Sequence, residues 1–171
     1  MNVSKPTQDA LMALITETWT KDRMLDRMVS VLGVKFACNN MADLIHHGIA
    51  HYFTFLSDEI ADRCLERYNI SVLYGPTPAG TDDYQTVTDM IKKLLDNVIE
   101  FQNMFIGVTK IAFDNNDLQV FADLQKLMLY YNKVVEQVIL LNDKMELYTE
   151  KRLYDMDAHI KDHFWILKTN Y

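Results

Sequence analysis

The chain has 171 residues, 49% of them hydrophobic, enough to enclose one well-packed core, and we read it as a single domain spanning residues 1–171. A formal charge of −7 and an isoelectric point near 5.1 argue against a phosphate-binding surface, so DNA is not an expected partner. Five Gly, three Pro and ten Met among many Leu, Ile, Lys and Glu favour an all-helical protein.

Cys38 and Cys64 form neither a CxxC pair nor a Cys/His zinc spacing, and we read both as reduced thiols of a cytoplasmic protein. Residues 1–8 lack the apolar centre of a secretion signal. No apolar run reaches the roughly 20 residues that a membrane-spanning helix needs.

A first helix is expected from Thr7, after Pro6, to Leu32, before Gly33, with Leu11, Leu14, Ile15, Thr18, Leu25, Val29 and Leu32 as its apolar stripe. Asp22 falls inside that stripe and Asp26 lies at its edge. A carboxylate so placed is either paired with a neighbour such as Lys21, Arg23 or Arg27 or bound to a metal.

The second helix, Met41–Asn69, organises the rest. At about 100° per residue, Asp43, His47, His51, Asp58 and Asp62 fall within one arc, with Ile45, Ile49, Tyr52, Leu56 and Ile60 opposite. The apolar side packs on the chain's own helices, so the His/Asp stripe points outward. The Asp43/His47 end lies roughly 20 Å from the Asp58/Asp62 end, too far for one ion to join them within a chain. A second copy antiparallel about a two-fold axis near Tyr52 would set His47 of one copy beside Asp58 and Asp62 of the other, giving two equivalent imidazole-carboxylate sites. Mixed ligands of that kind suit iron, manganese or zinc, although a solvated polar face with chance periodicity has the same pattern. His46, about 100° from His47 on a regular helix, is not expected to join it. His159 and His163, four residues apart, read as a helix surface.

Residues 70–83, with Tyr74-Gly75-Pro76-Thr77-Pro78-Ala79-Gly80, form a long crossover that allows the third helix, about Asp83–Ala112, to run parallel to the second. The fourth helix begins after Asp117 with Leu118, Phe121, Leu124, Met128, Tyr131, Val135, Val138 and Leu141 inward. A break at Asn142-Asp143 is expected, because one helix reaching Lys168 would overhang the bundle. An additional helix then spans 144–168, with Leu147, Leu153, Met156, Ile160 and Phe164 on one side and an apolar end at Trp165, Ile166 and Leu167.

Ser57-Asp58-Glu59-Ile60-Ala61-Asp62-Arg63, followed by Gly75-Pro76-Thr77-Pro78, resembles the Asp-x-Ile-Ala-Glu-Arg helix end and Gly-x-Pro turn of the mini-ferritins, the Dps-type proteins of the ferritin-like superfamily. The resemblance implies a ferritin-like four-helix bundle with one long crossover, forming two-fold homodimers within a hollow dodecameric shell. It implies ferroxidase chemistry: Fe(II) is bound at the two-fold interface, oxidised by peroxide or oxygen, and stored. That family's second-helix ligand positions fall on Asp43, His47, Asp58 and Asp62; the first two residue types are exchanged, and the family's Glu is shortened to Asp62. The family's first-helix His falls near Ser30 or Val31, where this chain has none, and Asp26 is the nearest substitute. His51 completes the candidate set. No intra-bundle iron site of the larger ferritins is expected, since Glu100 and Glu136 lie off the core faces. The alternative is a metal-free helical-bundle oligomer with a structural or interaction role and a degenerate ferroxidase site.

Overall fold

The computed structural model describes residues 2–163, with only the backbone of His163. Helix α1, Lys5–Val34, turns back at Lys35–Cys38 into α2, Asn39–Ile45. A π turn over His46–Ala50 joins α2 to α3, His51–Cys64, without interrupting the helical rod. Helix α4 spans Val87–Asp114, α5 spans Leu118–Tyr148 and α6 spans Leu153–His163. Among the described residues there is no strand, and no helix is long and apolar enough to cross a membrane.

The long helices pack side by side in a closed ring: α1 lies against α2–α3 and α4, and α5 against α4 and α3. The interior joins Leu11, Leu14, Ile15 and Leu25 of α1 to Ile45, Ile49, Leu56 and Ile60 of the second rod. Phe101 and Phe105 of α4 and Tyr131 of α5 complete its centre, all fully buried.

Direction follows from the crossover, which tracks α1 from its early turns to its end. Gly75 donates its N–H to Thr16 Oγ1 (3.0 Å), Arg27 Nε donates to the Asp82 carbonyl (2.8 Å), and Lys35 reaches the Asp83 carboxylate and the Tyr84 carbonyl. Gly80 lies so close to α1 that an added Cβ would meet the Arg23 carbonyl oxygen at 3.0 Å. The crossover therefore delivers α4 to the end of the bundle where α1 finishes, and α4 runs parallel to α2–α3, as expected. At the opposite end Asp117, just before α5, accepts from the Ser4 hydroxyl at 2.6 Å.

Two expected boundaries move. Helix α4 starts at Val87 rather than Asp83, where the Thr86 side chain caps the Asp89 N–H (3.0 Å). Helix α5 does not break at Asn142-Asp143 but continues to Tyr148, because Met145 extends the buried stripe of Val138 and Leu141. The length argument holds with a later stop: α5 has 31 residues and α1 has 30, both about 45 Å. Thr149, at φ 59°, makes the turn. The last helix accordingly begins at Leu153, not 144, burying Leu153, Met156 and Ile160, while Leu147 stays exposed on α5. The expected apolar end at Phe164–Leu167 lies outside the described residues.

Candidate metal centre

The outward stripe of the second rod is present. Asp43, His47, His51, Asp58 and Asp62 are all exposed, and Ile45, Ile49, Tyr52, Leu56 and Ile60 are all buried. What sequence periodicity misses is the π turn. In it the His51 N–H bonds to the His46 carbonyl, five residues back, so the turn holds one residue more than an α turn. On a regular helix His46 and His51 would project about 140° apart. The widened turn instead brings His46 over to the side of His47 and His51.

The three imidazoles form a cluster, with ring centroids 4.7 Å (His46–His47), 4.5 Å (His46–His51) and 5.0 Å (His47–His51) apart. One nitrogen from each lies within 4.8 Å of the others, the one such group among the described residues that could hold a metal ion. The expectation that His46 stands apart from His47 is thus overturned, because it assumed regular α geometry.

Carboxylates flank the cluster on both sides. Asp26 of α1 lies 3.9 Å from His46 Nε2. Asp43 Oδ1 lies 3.3 Å from His47 Nε2, and its Oδ2 accepts from Lys161 of α6. That lysine bond holds the Asp43 carboxyl below its usual pKa, with smaller help from His47 and His46. Burial lowers the pKa of His51, and the neighbouring His46 and His47 lower it further. His51 therefore stays neutral, the ligating form, to lower pH than an isolated imidazole. Asp58 and Asp62 do not join the cluster within one chain. His159 contacts Asp155 and Asp162 (3.8 and 3.6 Å) on the surface of α6, and the His163 side chain is outside the described set.

The donor set fits a transition-metal ion. Nitrogens at about 2.1 Å from a metal sit about 3 to 3.5 Å from one another, a closure that rotation of exposed imidazoles supplies. Three imidazoles with a carboxylate at hand leave coordination positions open and suit iron, zinc, copper or nickel better than calcium or magnesium. Against this, the bundle interior is filled by rings: Phe53, Phe101 and Tyr131 pack with centroids 5.0 to 6.0 Å apart.

Asp22, one turn before Asp26, is half-buried, and its pKa is pushed up to about 6, first by burial and then by Asp26. The folded chain holds this proton more tightly than the unfolded chain, so stability falls as pH rises from about 4 to 6 and stays reduced above. Asp22→Asn removes that loss. Thermal unfolding in chelator should show the variant more stable by about 1 kcal/mol at pH 7.5, a value discounted for partial solvent exposure, with the difference gone near pH 4.

The chain matches no model of a known protein family and none of the curated proteins.

Proposed function

We propose that this chain is a metal-binding, ferritin-like subunit that takes up Fe(II) at His46, His47 and His51 with Asp26 or Asp43 beside them, and oxidises it for storage. The observation that carries the reading is the three-imidazole cluster, flanked by two carboxylates, on the outward face of the second bundle rod. Ferritin-like bundles have one long crossover, and the helix order here, with α4 parallel to α2–α3 after such a crossover, supports the same reading.

In this mechanism the imidazoles hold Fe(II) in the open, where peroxide or oxygen reaches it. Carboxylate oxygens favour the ferric product, because a hard, more highly charged ion gains more from anionic oxygen. Two Fe(II) ions give one electron each to a peroxide, whose O–O bond breaks to form two hydroxide equivalents. The outward placement supports assembly as a two-fold homodimer, in which Asp58 and Asp62 of a second copy approach the cluster and complete a mixed site. Exposed Ile106, Phe113, Leu118 and Leu129 add apolar surface of the kind that assembly into a larger shell covers.

The test is anaerobic titration with Fe(II), and with Co(II) as a spectroscopic substitute, of wild type and of His47→Ala/His51→Ala, followed by addition of peroxide. Saturable binding and rapid growth of ferric absorbance in the wild type, both lost in the variant, are expected. The rival reading, a metal-free helical-bundle oligomer, draws on the Lys161–Asp43 ion pair, which neutralises that carboxylate without a metal. Wild-type protein that binds neither ion would favour it.

A further inference from the structure

Helix α6 is fastened to α2 at two points one turn apart. The Asp157 carboxylate accepts from the Met41 N–H at 2.7 Å, and from the Asn40 backbone and side-chain nitrogens at 3.4 Å, capping the start of α2. Leu153, Met156 and Ile160 seat the helix beneath. One turn on, Lys161 bonds Oδ2 of Asp43, the carboxylate whose Oδ1 faces His47. The cation on the histidine-proximal carboxylate is therefore supplied by another helix.

We propose that Lys161 competes with the metal ion for Asp43, so that metal occupancy of the histidine cluster and docking of the end of α6 are linked and oppose each other. The inference rests on the metal-binding reading of the cluster. A divalent ion held by His47 and Oδ1 of Asp43 puts a second positive charge beside the lysine ammonium and draws electron density away from Oδ2, the oxygen that accepts its bond. Lys161 then leaves, and α6 stays attached through Asp157 and its apolar face alone. Linkage is reciprocal: whatever fraction of binding is spent on releasing Lys161 reappears as loosening of α6 when metal is bound.

The test uses Co(II) titrations of the full chain as wild type, Lys161→Met, Asp43→Asn and the double variant. Lys161→Met is expected to bind Co(II) about five- to tenfold more tightly than wild type, and the same substitution to change nothing once Asp43 is Asn. In the wild type, saturating Co(II) is expected to speed amide hydrogen exchange over 157–163 severalfold. Equal Co(II) binding by wild type and Lys161→Met overturns the linkage while leaving the metal site standing. Tighter binding that persists in the Asp43→Asn background overturns it too, because the lysine would then act through net charge. Binding by none of the four removes the metal reading and the linkage together.

Discussion

His46→Ala is expected to weaken Co(II) binding about 100-fold, whereas Asp58→Ala and Asp62→Ala each change it less than about twofold in protein diluted to single chains. His46 is the one cluster member that a regular helix would turn away, and only the π turn, closed by the His51 N–H on the His46 carbonyl, carries it to His47 and His51. Losing one of three imidazoles leaves two donors and a carboxylate already engaged by Lys161, a set too weak to hold the ion. Asp58 and Asp62 lie farther along the rod, outside the group of side chains that could hold a metal within one chain. If the two-fold assembly forms, Asp62→Ala should become costly at concentrations where sedimentation shows dimer, and only there. An unchanged His46→Ala would return the site to the regular-helix stripe of Asp43, His47, Asp58 and Asp62. Because these side chains are exposed or half-exposed, far-ultraviolet circular dichroism of the variants should match wild type.

The contrast between the two ligand sets marks how far sequence periodicity reaches. Helices that bury one face declare themselves through spacing, so α1, the second rod, α4 and α5 were legible, as was a crossover rich in Gly and Pro. Asp22 was legible in its position only: it is half-buried in the stripe, but Lys21 pairs with Glu17 and Glu100 instead, and burial raises the Asp22 pKa to about 6. The break after α5 was misplaced because Asn142-Asp143 looks like turn chemistry, yet Met145 still had core to fill and Asn142 Nδ2 reaches Glu146 along the helix (3.3 Å). The cluster was hidden for a different reason. Its geometry depends on one extra residue in one turn, which alters where His46 projects relative to His47 and His51. A signal did exist: Met41, Ile45, Ile49 and Phe53 are all buried at successive spacings of four. On a regular helix each such step drifts by about 40°, a total near 120°, too wide for one buried line unless the helix unwinds locally.

Tyr131→Ala is expected to cost about 4 to 5 kcal/mol in denaturant unfolding, the largest stability loss of any substitution discussed, while Tyr131→Phe costs about 1 kcal/mol. Tyr131 is fully buried at the middle of the bundle, and its hydroxyl donates to the Val98 carbonyl at 2.8 Å. Its ring lies 5.2 Å from Phe101, 6.0 Å from Tyr52 and Phe53, and 6.2 Å from Phe105, centroid to centroid. Burial, with Tyr52 adding, raises the phenol pKa well above its ordinary value, so the hydroxyl remains a neutral donor throughout the working pH range. Truncation to Ala opens a cavity that four neighbouring rings cannot fill by small shifts, whereas Phe keeps the volume and loses one hydrogen bond to a carbonyl that also serves the α4 helix. A Phe variant as unstable as the Ala variant would show that the hydrogen bond, not ring packing, holds the centre. The same aromatic filling explains why the group of side chains that could hold a metal ion lies on the outer face. A carboxylate at this level would need a cation or water within a volume already occupied by rings, at a cost of several kcal/mol. The second rod, by contrast, offers its histidines to solvent at the turn where its winding changes, and there donors converge without disturbing the core.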